Sequence, residues 1–225
     1  MRFEDLPAWM QNADTKACFE KLRQHRGTLA AKRLFDIVVS FLILVILSPL
    51  LLITAAAVKL DSKGPVFYRQ ERVGRYGKPF RIYKFRTMVQ DADKKGLQIT
   101  VGQDPRITRV GRVIRKCRLD EFAQVLNVLD GTMSLVGPRP EVPKYVKAYQ
   151  PAYLSTLLVR PGVTAPSSIH FRNEDEILAE SPLDPETTYI EKILPTKMQL
   201  NLQYMDSISV GNDIKVMVQT VRAVF

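Results

Sequence analysis

The chain has 225 residues, 46% of them hydrophobic, with a formal net charge of +10 and a sequence pI of about 9.7. That is room for one compact domain and one apolar element, too little for a protein that crosses a membrane many times. Its two cysteines, Cys18 and Cys117, exclude a disulfide framework and fit a reducing cytoplasm, and His25 and His170 stand alone without metal-ligand spacing.

The first 31 residues predict a short amphipathic helix. Asp14 or Thr15 is its expected cap, and Phe19, Leu22 and Leu29 recur at near-helical spacing among Lys and Arg. Such a helix lies either on a membrane surface or on the domain.

From Leu34 to Leu60 the sequence is apolar, with no charge between Ile37 and Val58. About 20 such residues suffice to cross a bilayer as a helix. Because the run follows about 35 residues of charged sequence, no cleavable signal peptide is expected. Ser48-Pro49 interrupts it: Pro49 offers no N–H to the carbonyl of Val45, so a kink or break is expected there, and Ser48 can bond a freed carbonyl. Lys32 and Arg33 precede the run while Lys59 and Lys63 follow it, so the positive-inside rule places both ends in the cytoplasm. These flanks favour a re-entrant helix-break-helix over a kinked span.

Gly64-Pro65 closes the membrane element, and Val66 to Val73 reads as a strand. Gly74 to Gly77 makes a turn, and Pro79 to Phe85 returns as the second strand of a hairpin. A looser polar stretch follows. Ile107 to Leu129 then reads as one or two helices, with Val110, Val113, Cys117, Phe122, Leu126 and Leu129 on the apolar face and Asp120 off it. In Gly131 to Glu141, Pro138 and Pro140 flank Arg139, which pre-organises its guanidinium for two hydrogen bonds to a phosphate. Residues 174–191 are acid-rich and expected to form a solvated face.

Charge is concentrated. From Lys63 to Arg118 there are 16 Lys and Arg against 4 Asp and Glu, an excess of +12 in a chain that totals +10. Such a region collects phosphates. At its end stand Asp120 and Glu121. Carboxylates among held phosphates can bind a divalent metal, or one can attack phosphorus; adjacent acids on a helix also occur simply to balance nearby arginines.

The motifs together resemble the bacterial sugar transferases of the monotopic phosphoglycosyl transferase superfamily. The matching strings are Lys32-Arg-Leu-Phe-Asp36, Ser48-Pro49, Gly64 to Gly74, Lys84-Phe-Arg-Thr-Met88, Asp104 to Gly111, Leu119-Asp-Glu121, Asn127-Val-Leu129 and Met133 to Pro140. The resemblance implies transfer of a sugar 1-phosphate (an EC 2.7.8-type reaction) from a UDP-sugar to undecaprenyl phosphate, with release of UMP. It implies Asp120 as nucleophile, Glu121 helping to hold Mg²⁺ with Asp120 beside it, and Lys84, Arg86, Arg118 and Arg139 on phosphate. Ser209 and Asp213 resemble a further motif and make Asp213 a second acidic candidate. The implied fold is α+β and mainly helical: a monotopic protein with a surface helix (1–31), a re-entrant membrane helix broken at Ser48-Pro49 (32–62) and a compact cytoplasmic domain (63–225) carrying the β-hairpin. The implied location is the cytoplasmic face of a bacterial inner membrane, in contact with lipid; a homodimer is left open.

Three departures from the family pattern stand out. Phe122-Ala123 replaces Leu-Pro after the dyad, Thr132 replaces an Asp, and Pro161 to Ser168 departs from the usual loop, which bears on the sugar recognised. A nucleic-acid binder is disfavoured, because no helix-turn-helix or RNA-binding aromatic pattern accompanies the basic stretch. A non-catalytic scaffold is disfavoured because Asp120, Glu121, Lys84 and Arg139 are all present.

Overall fold

The computed structural model describes residues 2–92 and 104–224. Most of the looser stretch after the hairpin, with Lys94 and Lys95, lies outside the described residues.

Helix α1 (Ala13–Gln24) is capped by Asn12, whose side chain accepts from the Thr15 backbone N–H at 2.9 Å. The cap is thus two or three residues earlier than the expected Asp14 or Thr15, because Asn12 keeps the extended backbone a cap needs. Phe19 is buried and Leu22 partly so, both in the main core, and Asn12 also donates to the Pro151 carbonyl. Of the two sites open to this helix, the structure places it on the domain.

Helix α2 (Arg26–Asp61) runs for 36 residues, roughly 54 Å at the usual rise. It is a single continuous helix through Pro49, so the expected helix-break-helix is not seen as two separate helices. The Ser48 hydroxyl donates to the Val45 carbonyl at 2.9 Å, the group that proline leaves without its helical donor, and this local repair lets the helix continue. Among the described residues α2 is the one helix long and apolar enough to cross a membrane. Its buried positions are polar at one end, with Lys32, Asp36 and Ser40 spaced by four, and Thr54 and Val58 near the other. The middle shows Phe41, Leu42, Val45 and Ile46 to the outside, Ile46 being 72% exposed.

Strands β1 (Phe67–Tyr68), β2 (Glu71–Val73), β3 (Pro79–Arg81) and β4 (Lys84–Phe85) form the expected hairpin in two pieces. The pair β2–β3 aligns Glu71 with Arg81, and β1–β4 aligns Tyr68 with Lys84. Between them the ladder reduces to the Ile82 N–H on the Gln70 carbonyl.

Helix α3 (Arg109–Lys116) ends before the dyad, a 3₁₀ turn covers Leu119–Gln124, and α4 (Val125–Leu129) follows. The break is at Arg118, whose φ of 53° is left-handed. That break shifts the helical phase, which corrects the expected apolar face: Val113 is 64% exposed and Cys117 is exposed, while Ile114, Ala123, Val125 and Val128 are buried.

Strands β5 (Ser134–Val136) and β6 (Gly162–Thr164) pair in parallel. A Cβ on Gly162 would lie 2.1 Å from the Gly137 nitrogen, so only glycine permits this approach. Short helices α5 (Pro143–Val146), α6 (Pro166–His170), α7 (Glu174–Glu180) and α8 (Pro185–Thr188) lead to α9 (Leu194–Asp206) and α10 (Val210–Val224). Leu178, Tyr189, Ile193, Leu194 and Met198 pack a second core. The acid-rich stretch is therefore only partly the solvated face expected: Glu174 pairs with the buried Lys197 at 2.6 Å.

Candidate active site

Four side chains from three parts of the chain meet. Lys84 on β4 is delivered by the hairpin, which Asn127 of α4 fixes in place: its side-chain oxygen accepts from the Tyr83 N–H at 2.7 Å and its amide donates to the Arg81 carbonyl at 3.1 Å. Lys84 Nζ lies 2.9 Å from Asp120 Oδ2 and 3.5 Å from Glu121 Oε1. Arg139, just beyond β5, donates through Nη2 to the same Glu121 oxygen at 2.6 Å.

The dyad occupies the first turn of the 3₁₀ segment that starts after Arg118, where free N–H groups favour negative charge. Asp120 is 3% exposed, and among the described residues its buried Oδ1 has no hydrogen-bond partner. One oxygen of the carboxylate is thus held by Lys84 while the other is uncommitted. A buried acceptor without a partner is costly, on the order of 1–3 kcal/mol, and such orphans are rare enough to point to a use.

Glu121 is fixed as a carboxylate. Burial works against its ionisation, but Arg139, Lys84 and more weakly Arg118 overcome it and hold its pKa well below the ordinary value. In return Glu121 pushes the Arg139 guanidinium above its ordinary range. Both members stay ionised across the physiological pH range.

The remaining candidates are placed differently. Arg118 is close enough to add to the field on Glu121, and its Nη2 donates to the Arg172 carbonyl at 2.7 Å. Arg86, expected on phosphate, is 5% exposed and turned the other way. It donates to the carbonyls of Val58, Ser62 and Pro65 and to the Ser62 hydroxyl, tying down the end of α2. Asp213 does not join the dyad either. It is buried against Lys32 and Tyr204, whose hydroxyl donates to it at 2.7 Å, and burial pushes its pKa up. Nearby, Asp36 accepts from the Ser134 hydroxyl at 2.7 Å and the Leu135 N–H at 3.1 Å, so the cluster joins α2 and α10 to β5.

A second buried network supports Arg139 and was missed by the sequence reading. Arg72 donates to the Pro140 carbonyl at 3.0 Å, and Glu141 accepts from the Tyr189 hydroxyl at 2.5 Å. Lys197 donates to the same hydroxyl at 3.2 Å. Only Glu141 carried any signal, as the residue following Pro-Arg-Pro. Of the altered loop, the Val163 carbonyl lies 3.5 Å from Arg139 Nη1.

Among the described residues no group of three or more His, Cys, Asp or Glu could hold a metal by itself. What the site offers is two adjacent carboxylates and one free buried oxygen, among cations that can meet phosphate. Such an arrangement is chemically able to meet a phosphoryl group.

The bacterial sugar transferase family model matches residues 27–225, and the chain belongs to that family. It is 37% identical over 196 residues to the UDP-N-acetylgalactosamine-undecaprenyl-phosphate N-acetylgalactosaminephosphotransferase of Aeromonas hydrophila, covering 86% of this chain and 43% of the relative. It is 40% identical over 195 residues to the UDP-glucose:undecaprenyl-phosphate glucose-1-phosphate transferase of Klebsiella pneumoniae, covering 84% and 39%. An uncharacterized sugar transferase of Bacillus subtilis (strain 168), EpsL, is 39% identical over 193 residues, covering 86% of both chains. The chain thus spans about two fifths of the first two relatives and most of the third.

Proposed function

We propose that this chain is a phosphoglycosyl transferase that moves a sugar 1-phosphate from a UDP-sugar to undecaprenyl phosphate. The observation that carries the reading is Asp120, with Oδ2 on Lys84 and Oδ1 buried and, among the described residues, unpartnered beside a permanently ionised Glu121. In the first displacement Oδ1 attacks the phosphorus that bears the sugar. An aspartyl–phosphorus bond forms, the bond to the bridging diphosphate oxygen breaks, and UMP leaves. In the second, an oxygen of the lipid phosphate attacks the same phosphorus and the carboxylate departs, giving the polyprenyl-diphosphate sugar. Lys84 and Arg139 neutralise the phosphoryl oxygens as charge moves between them, the main source of catalysis in such transfers.

Asp120 and Glu121 would hold Mg²⁺, which typically takes one or two protein carboxylates and fills its shell with water and substrate phosphates. When bound, it would supply further charge neutralisation at the diphosphate. The exposed apolar middle of α2 supports insertion into a bilayer, and basic flanks at both its ends support a re-entrant, monotopic arrangement on the cytoplasmic face. The first membrane step of a surface glycan or glycoconjugate is the place for such a reaction.

The test uses membrane-embedded protein with a panel of UDP-sugars, with and without undecaprenyl phosphate. UMP release that needs the lipid and disappears with Asp120→Asn or EDTA is expected, and the active donor names the sugar. With donor alone, mass spectrometry of the Asp120 peptide should show an added phosphosugar. Turnover persisting in Asp120→Asn would overturn the assignment of the nucleophile, and no UMP from any donor would overturn the reaction.

A further inference from the structure

A cavity beside the N-terminal half of α2, apart from the dyad, has unusual chemistry. It is lined by Arg33 of α2, Arg75 of the hairpin turn and Arg160 ahead of β6, with Leu29 and Ile208 at its apolar side. Three guanidiniums close together repel one another. Arg160 lies near enough to bear on both Arg33 and Arg75, and burial together with that neighbour depresses the pKa of Arg75. Among the described residues none of the three is in an ion pair with a carboxylate.

Each is instead held by backbone. Arg33 Nη1 donates to the Val128 carbonyl at 2.7 Å, Arg75 Nε to the Leu158 carbonyl at 3.0 Å and Arg160 Nε to the Gly131 carbonyl at 2.8 Å. Arg75 and Arg160 are each bonded through Nε, the Arg75 guanidinium also lying 4.4 Å from the Tyr76 ring centroid, and the described residues give their terminal nitrogens no acceptor. Two oriented forks remain, the geometry that matches phosphate oxygens. Asp36 and Asp130 bear on Arg33 from a distance, but among the described residues no acid pairs directly with any of the three. Asp36 is committed to Ser134, Leu135 and Lys32, Asp213 to Lys32 and Tyr204, and Asp130 to Thr132.

We propose that Arg33, Arg75 and Arg160 form a phosphate-group site, separate from Asp120 and Glu121, which takes the headgroup of an anionic phospholipid. Position argues for a lipid. Along the axis of α2, Arg33 stands one residue before the exposed Leu34 and just ahead of Ile37, Val38 and Phe41, so a group held by Arg33 sits at the level where the exposed apolar surface of the helix begins. A headgroup seated here would relieve the repulsion among the arginines and fix the depth of α2. None of the three arginines makes a described hydrogen bond or ion pair with Lys84, Asp120, Glu121 or Arg139.

The test is direct binding to the whole protein in neutral detergent, by calorimetry and thermal shift. The probes are dihexanoyl phosphatidylglycerol, dihexanoyl phosphatidylcholine and inorganic phosphate. Phosphatidylglycerol should bind at least tenfold more tightly than phosphatidylcholine, and Arg75→Gln with Arg160→Gln should weaken it at least tenfold. Lys147→Gln, a change at an exposed residue, should have no effect. Arg160→Lys, which keeps the charge and loses the fork, should fall between, and it serves if the double variant does not fold. Inorganic phosphate binding as tightly as the lipid, and lost in the same variants, would support the phosphate site and assign it to a free phosphate or phosphomonoester. Equal binding of phosphatidylglycerol by wild type, double variant and Arg160→Lys would overturn the proposal.

Discussion

Arg86→Met separates two roles that the same cation could have. In the structure the Arg86 guanidinium is 5% exposed and reaches the Val58 carbonyl at 3.2 Å, the Ser62 carbonyl at 2.6 Å and the Ser62 hydroxyl at 3.0 Å, with the Pro65 carbonyl as a further acceptor. Val58 belongs to the last turn of α2, where carbonyls have no intrahelical donor. Methionine fills much of the volume and donates nothing. Leaving two of these acceptors buried and unpaired, at about 2 kcal/mol each, predicts a loss of about 4 kcal/mol. For a chain of this size that lowers the melting temperature by roughly 8–16 °C. The assay is a thermal melt in detergent, followed by circular dichroism, alongside steady-state kinetics with the active UDP-sugar. A Tm within 2 °C of wild type with a raised KM for the donor would refute the clamp and return Arg86 to the phosphates.

Glu121→Gln tests the electrostatics of the dyad. Because the folded pKa of Glu121 is depressed, its contribution to stability is complete above the ordinary glutamate value of about 4.3 and is lost as pH falls below that value. Melts from pH 7 to 3 should therefore show the gap between wild type and Glu121→Gln closing only on the acid side; a constant gap would contradict the assignment. Thiol titration should find one fast group per folded chain. Cys117 is exposed, whereas burial and Asp206 raise the partly buried Cys18 thiol to about 11, so Cys18 should react far more slowly until the chain unfolds. Gly162→Ala places a Cβ 2.1 Å from the Gly137 nitrogen, so β5 and β6 must separate; a loss of about 3 kcal/mol or more, with reduced activity through Arg139, is expected in denaturant melts.

The dyad, Pro-Arg-Pro, the long apolar helix and the hairpin were legible because each is written in adjacent residues. Apolar length, turn glycines and motif order are local quantities that the chain carries before it folds. Even the Ser48 bond to Val45, three residues away, follows from the chemistry of one proline. Where a local cue failed, the cause was also local but conformational. A left-handed Arg118 cannot be read from an arginine, and it shifted the faces of the helices around it.

What only the tertiary structure decided was the use of each charge. Lys84, Arg86 and Arg139 are alike as basic residues of the sequence, but their work depends on partners far along the chain. Lys84 meets Asp120 and Arg139 meets Glu121, whereas Arg86 meets the carbonyls at the end of α2. The pairing of Lys32 with Asp213 spans 181 positions, and it takes Asp213 out of the site the sequence reading gave it. A charge in the unfolded chain is solvated and has no assigned partner. Burial removes the water, and only then does the nearest carboxylate or carbonyl, brought by folding, determine whether a cation binds substrate or holds the fold.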